Sequence, residues 1–465
     1  MVMALAVVLF SPRWAAGALD QMAQQQLGRS FSARGGAHLD FSPLAIRFDD
    51  ATLSSGEVTD DSALTARTLT IPVTLGQLLR RRADLSDISL ADAEVALLIN
   101  ERGEANWDFP GHTANTPMRV RLDQASFRYF DARNSQSMTL GNVDGVLDLR
   151  ADGGAAFAGT AVINSRLVKI DADVKSLARI NEDGSPLELA LATDGGSASF
   201  SGQLSTAKVL SLAGPVSLSS AAPAAALQFI GLPLPPETAI GGSLAIDGAL
   251  DSAGRAYAIR NATVSLGDFR AAGDLVADLR KETPKLQVNL AADTVWLDAF
   301  VPASGAKDGD WGRRPLPFAL LRSLDAQVSL NARSVVYGGF TAGATRLNLA
   351  VTDGRLEANG LAALADDGSL SIGVTADAKV LPPSVSVSLD AEDAQAQPLL
   401  GTLLGASQIT GVGSYSAEVS AAGQTQEELA GTMKGKANLS LIDGRISGTD
   451  LAGLFVAARQ KILDG

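Results

Sequence analysis

Val328-Ser-Leu330, Leu347-Asn-Leu-Ala-Val351, Leu370-Ser-Ile-Gly-Val374 and Val385-Ser-Val-Ser-Leu389 decide how this chain folds. Each run alternates an aliphatic residue with a small or polar one, which is the period of a strand with one buried face. Asp353-Gly354 and Asp367-Gly368 separate the runs, and Asp-Gly is a hairpin-turn pair. The texture continues through most of the chain, with further pairs at Asp152-Gly153, Asp183-Gly184, Asp194-Gly195 and Asp247-Gly248. The expected fold is mostly β. A long, twisted, mostly antiparallel sheet curls into an open groove, because a flat sheet of that length would leave its apolar face in water. No fixed period marks a repeat array or a regular β-helix.

Short helices are expected over 20–27, 74–82, 222–231, 395–404 and 449–463, where helix formers replace the alternation. Residues 31–33 and 38–41 read as separate strands, as do 85–90 and 94–99. The stretch 301–317, rich in Gly, Pro and charge, reads as a linker or loop. The expected organisation is an anchor remnant over 1–18, a β region with short helices over 19–115, a middle β region over 116–300, and a last β region over 318–465.

Composition narrows the function. Of the 465 residues 46% are hydrophobic but only 5% aromatic. The apolar content is therefore mostly Ala, Leu and Val, which line a surface without filling a deep interior. The net charge of −13 opposes nucleic-acid binding, which needs clustered Lys and Arg; Arg80-Arg81-Arg82 reads as the polar end of a short helix. The chain has no cysteine and only two histidines, His38 and His112. Neither sits in a context that suggests a zinc site or a hydrolase triad. No Asp-Gly pair has the spacing of a calcium loop, and the adjacent carboxylates Asp60-Asp61 and Asp366-Asp367 diverge on a strand. The chain is not expected to be an enzyme or to carry a cofactor or metal.

Residues 1–10 are wholly apolar and precede Pro12-Arg13-Trp14. A bilayer span needs about 20 such residues, so the stretch reads as the outer half of a membrane anchor that starts upstream. A secretory signal with a small-residue site at Ala16-Gly17-Ala18 is the rival reading.

Leu85-Ser-Asp-Ile-Ser-Leu90, Val95-Ala-Leu-Leu-Ile-Asn100 and Gly103-Glu-Ala-Asn106-Trp107-Asp-Phe109 resemble the N-terminal signature of the AsmA family. Residues 44–53 are similar to the family's post-anchor strands, and 295–302, 324–330, 398–404, 411–423 and 429–431 to its later blocks. Ile442-Asp-Gly-Arg-Ile-Ser-Gly-Thr-Asp-Leu451 resembles the last of them. The short anchor and the stop at Gly465 depart from the family pattern and read as a partial protein. The resemblance implies a Gram-negative envelope protein, anchored in the inner membrane by an N-terminal helix with its bulk in the periplasm. It implies a role in outer-membrane assembly, with an outer-membrane assembly partner, and kinship with TamB and the repeating-β-groove lipid-transfer proteins.

The candidate lipid-lining set is the aliphatic parity of the strands. It comprises Leu187, Leu189, Leu191, Leu286, Val288, Leu290, Val328, Leu330, Leu347, Leu349, Val351, Leu370, Ile372, Val374, Val385, Val387, Leu389, Leu439 and Leu441. Phospholipid acyl chains are the expected ligand, while Asn348, Ser371, Ser386 and Ser388 should face water. The alternative is a structural or regulatory envelope protein with the same sheet and no lipid traffic. A secreted adhesin or sugar-processing solenoid would show a rung period and exposed aromatics, and neither is present. Asn106-Trp107 reads as a turn with a packed indole.

Overall fold

The computed structural model describes residues 13–56, 58–59, 61–80, 84–107, 117–229, 241–299, 316–404 and 408–446. The apolar stretch 1–10, His112, most of the expected linker and the expected helix over 449–463 lie outside them. The chain is mostly β and divides into two compact units. One runs to Val216 and includes Ser252–Gly254; the other comprises Ser217–Asp251 and the chain from Arg255 onward.

The first unit opens with α1 (Arg13–Leu27), longer than the expected helix over 20–27. Its Ala15 and Leu19 are buried, so residues 13–18, read as anchor, belong in part to a helix packed on the sheet. Among the described residues no helix is long and apolar enough to cross a membrane. The Asp20 carboxylate accepts the Phe31 N–H at 2.9 Å and fixes the start of β1 (Phe31–Phe41). Then follow β2 (Leu44–Ser54), β3 (Ser62–Pro72), α2 (Leu75–Leu79), β4 (Asp87–Ile99), β5 (Met118–Asp131), β6 (Gln136–Leu149), β7 (Ala155–Ile163), β8 (Arg166–Val174), β9 (Ser185–Thr193) and β10 (Gly196–Ser205). Each of these strands pairs with the next. Arg80 is the C-cap residue of α2, which Thr74 and Gln77 cap reciprocally at its start.

Bulges bend this unit. Asp50, Asp92, Gln124 and Asn142 have φ of 52°, 47°, 52° and 47°, and the pairing slips a residue at Gly36, Gln124 and Asn142. Asp92 and Gln124 lie side by side on β4 and β5. The Gln124 N–H donates to Asp144 at 2.8 Å. An extra residue on a strand bends it and increases its twist, and Asp and Asn tolerate the left-handed conformation better than most residues. This corrects the reading of 31–33 and 38–41, and of 85–90 and 94–99, as separate strands. Each pair is one strand: in β1 the break in alternation is a bulge, and in β4, whose pairing with β3 and β5 does not slip, it is the left-handed residue Asp92.

The β5–β6 turn is pinned by Asp131, which is fully buried. Its carboxylate accepts from the Arg133 guanidinium at 2.8 and 2.9 Å and from Asn134 at 3.0 Å. Arg133 also donates to the carbonyls of Thr206 and Ala207, each at 2.7 Å. Burial alone would push the Asp131 carboxyl up, but the Arg133 hydrogen bonds outweigh it and hold it below the usual range. A depressed native pKa contributes stability that is present above the unfolded value and is lost as pH falls through the native one. The urea midpoint of this unit should therefore drop as pH falls below about 4. Asp131→Asn should flatten that part of the profile; an unchanged acid limb would show that the pair is not responsible.

Beyond β11 (Ser211–Ser220), the second unit carries α3 (Pro223–Phe229), β12 (Leu244–Ala253), β13 (Ala256–Leu266), β14 (Phe269–Asp278) and β15 (Lys285–Trp296). Then come α4 (Phe318–Ser323), β16 (Asp325–Tyr337), β17 (Phe340–Ala342), β18 (Thr345–Thr352), β19 (Arg355–Ala363), β20 (Ser369–Asp377), β21 (Ser384–Gln395), α5 (Ala396–Leu404), β22 (Ile409–Ala422), α6 (Gln426–Thr432) and β23 (Lys434–Ile446). From β13 onward each strand pairs with the next, except that β18 returns to β16 and β17 is a short flap on the end of β16.

The sheet is mixed, which amends the antiparallel expectation. β4–β5 and β15–β16 are parallel. Parallel neighbours need a crossover of a dozen or more residues, and residues 100–117 and 297–324 supply one each. The stretch read as a linker thus joins two strands that pair with each other. Asp247-Gly248 is also not a turn but lies inside β12. There a Cβ on Gly248 would come within 2.5 Å of Ile259. Helices α4 and α6 were not expected.

Candidate functional site

The second unit presents one aliphatic face, and its register can be followed strand by strand. From β14 to β22, Leu275, Val288, Val328, Leu349, Ala358, Val374, Val387 and Val419 stand directly beside one another. The adjacent row runs Leu290, Leu330, Leu347, Gly360, Ile372, Leu389 and Ala417. A third row, Leu286, Ala326, Val351, Leu356, Ala376 and Val385, lies toward one end of the strands. A fourth, with Ala332, Thr345, Ala362, Leu370, Ala391 and Tyr415, lies toward the other. Leu439 and Leu441 on β23 continue this face opposite Tyr415 and Gly413. Directly paired residues project to the same side of a sheet, so the candidate residues of this unit share one face.

Burial along that face is uneven, and two helices cause it. Helix α4 packs on the third row: Phe318, Ala376 and Ala378 form one cluster with Leu321, Leu356 and Val385, and Leu324, Ala326 and Val351 another. Helix α5 packs on the fourth row, where Leu399 and Leu400 join Ala342, Ala362, Leu370, Ala391 and Ala394. The Tyr415 hydroxyl donates to the Ala394 carbonyl at 3.0 Å, and burial pushes its phenol above the usual value. Between the helices the first two rows stay half-buried, and Val387 is 38% exposed. The helix-covered rows are six residues apart along a strand, about 20 Å.

Where this face meets α5 it holds a pocket of about 230 Å³. Leu330, Leu347, Gly360, Ile372 and Val374 form its floor, Val295, Leu297, Tyr337 and Phe340 one wall, and Leu399 and Thr402 its roof. The opposite face of the sheet is wet. Asn348, Ser371 and Ser386 are exposed there and Ser388 half-buried. A wider, open depression of about 620 Å³ on that side is lined by Glu357, Thr375, Ser386, Ser388, Glu418, Lys434 and Lys436. Val374, Val387 and Val419 also border it, among polar and charged side chains that suit water.

In the first unit Leu187, Leu189 and Leu191 pair with Val174, Ala172 and Ile170 on one side and with Gly202, Phe200 and Ala198 on the other. Leu189 belongs to a row that continues through Ala172, Phe157, Leu147 and Val120 to Ile88. Leu187 is buried, and Leu189 and Leu191 are half-buried. Leu439, on the last described strand, is 46% exposed. Sequence reasoning missed Ala358, Gly360, Leu399 and Thr402, whose part in the site depends on long-range contacts. Among the described residues no group of acidic or histidine side chains gathers to hold a metal ion.

A sequence model of the AsmA family matches residues 199–463, more than half of the chain. The chain belongs to the AsmA family. No curated protein and no solved structure is similar enough to match it. The matched region contains the whole apolar face of the second unit. The AsmA-like signature at 85–109 lies before it, and the structure gives that signature a physical meaning. Asn106 is buried beside β4 where β3 no longer pairs with it. Its side chain accepts the Leu98 N–H at 2.9 Å and donates to the Ala96 carbonyl at 2.8 Å and the Ser55 hydroxyl at 3.1 Å. One amide side chain thus does the work of a neighbouring strand, while Trp107 packs against Tyr129 with ring centroids 6.3 Å apart and planes tilted by 42°.

Proposed function

We propose that this AsmA-family protein is a non-enzymatic lipid-binding protein of the Gram-negative envelope, whose apolar faces are the floors of open grooves for phospholipid acyl chains. In this reading it is anchored in the inner membrane, projects into the periplasm and supports outer-membrane assembly by conducting phospholipid between the membranes. The observation that carries the reading is the pair of aliphatic rows in register from β14 to β22, left half-buried between two helices. A sheet that only needed a core would cover them. Family membership supports envelope association.

The energetics favour such a surface. A phospholipid with two chains of about 16 carbons exposes on the order of 25 kcal/mol of apolar transfer cost, at about 0.8 kcal/mol per methylene. Free passage through water is therefore negligible, whereas an apolar trough removes most of that cost without any residue-specific chemistry.

A photo-crosslinking amino acid at Val387 should capture phospholipid in cells, and one at Ser388 should not, because neighbouring positions face opposite sides of a strand. Equal capture at both positions, or none at either, would leave the structural or regulatory reading in its place.

A further inference from the structure

We propose that the pocket beneath α5 is the seat for the methyl end of one acyl chain, with Gly360 as its floor. This inference rests on the groove reading and adds the orientation and end-point of the ligand.

Three observations point there. The pocket is continuous with the open face, since Leu330, Leu347, Ile372 and Val374 belong to both. Its lining is almost wholly hydrocarbon. Thr345, one of its few polar residues, already donates its hydroxyl to the Gly343 carbonyl at 2.9 Å. A head group would find nothing to replace its water there, whereas a hydrocarbon end needs nothing. In size, an apolar cavity of about 150 Å³ holds the six carbons of benzene. By that measure the pocket's 230 Å³ takes about nine carbons, a segment of an acyl chain and not a whole lipid.

The third observation is Gly360 itself. Glycine weakens a strand and often marks a place where something else approaches the backbone. Many glycines in this sheet are bare because a neighbour leaves no room; a Cβ on Gly413 would meet the Ser440 carbonyl at 1.9 Å. Gly360 differs. Its φ lies outside the left-handed region, and a Cβ there would meet nothing nearer than 3.9 Å, from the Ile372 carbonyl and Leu347. Neither backbone nor packing demands a glycine, yet it interrupts an aliphatic row between Leu347 and Ile372. The space above it is the pocket.

Gly360→Phe separates a seat from an empty void. If the pocket is only a packing defect, filling it should raise the melting temperature and change no ligand behaviour. If it seats a chain end, the variant should fold with an unchanged or higher melting temperature and lose that ligand contact. Gly360→Val is the second variant, a β-branched residue suited to a strand, should the ring prove too large. The probes are two palmitic acid analogues, one with a diazirine near the methyl end and one near the carboxyl. Each is added to the full chain without detergent and the crosslinks are mapped by peptide.

The methyl-end probe should label Leu399 and Thr402, and the carboxyl-end probe should label the open rows around Val328 and Val387. Each methylene withdrawn from apolar contact weakens binding about fourfold. Gly360→Phe should therefore cut methyl-end labelling of α5 at least tenfold. Labelling of the open rows with none on α5 would overturn the seat and leave the groove standing. So would equal α5 labelling by both probes, or α5 labelling indifferent to a well-folded variant. No labelling anywhere on this face would overturn both.

Discussion

Asn106→Ala is expected to lower the stability of the first unit by about 3 kcal/mol, since two buried backbone groups lose their partners at about 1–3 kcal/mol each. The Leu98 N–H and the Ala96 carbonyl are bonded by the Asn106 side chain at 2.9 and 2.8 Å. Arg29 fixes the same corner, donating to the Asn106 carbonyl at 3.2 Å and to the Ser55 carbonyl. Urea unfolding followed by tryptophan fluorescence is a suitable measurement, because Trp107 lies against Tyr129 next to the lesion. Asn106→Asp sharpens the test. A carboxylate keeps the acceptor for Leu98 but loses both donated bonds and buries a charge, so it should be worse than alanine at neutral pH. Acid should relieve it in part, since the protonated group donates again. A change within 0.5 kcal/mol for both variants would mean that the edge of β4 is held by something else.

What the sequence disclosed and withheld follows from the range of each interaction. Alternation in 347–351, 370–374 and 385–389 was legible because the period of two is local, and these residues lie on one face in register. Parallel and antiparallel pairs share that period, so the β4–β5 and β15–β16 crossovers left no trace in it. The alternation breaks at a bulge beside Gly35-Gly36 and at the left-handed Asp92, and either one read locally is indistinguishable from a strand end. Helix α6 carried a usable signal: Thr425 caps it by accepting the Glu428 N–H at 3.2 Å, while Glu428 accepts from Gln424 at 2.6 Å. The Thr-x-x-Glu spacing marks a helix start. Helix α4, a single turn and a half, offers too few residues for a period. The helix over 395–404 was expected, but its place across the fourth row was not, because Leu399 reaches Ala362 and Leu370 only through the fold.

Val387→Asp is expected to reduce phospholipid capture and transfer about a hundredfold while the sheet still forms. Val387 lies in the first row, flanked by Val374 and Val419, and is 38% exposed. In the unloaded protein a carboxylate there reaches water, so the melting temperature should change little. When an acyl chain lies over it, the charge must lose that water, a cost of several kcal/mol, and about 3 kcal/mol is a hundredfold in affinity. Ile372→Asp should block lipid as strongly, but Ile372 also packs against the α5 cluster. Its loss of binding would be mixed with loss of fold, which makes Val387 the decisive position. Ser388→Asp is the matching control. It adds the same charge one residue away on the wet face, beside Glu418, and should leave transfer within about twofold. Capture reduced equally by Val387→Asp and Ser388→Asp would point to net charge and not to the face. Capture reduced by neither would mean that acyl chains do not travel along these rows.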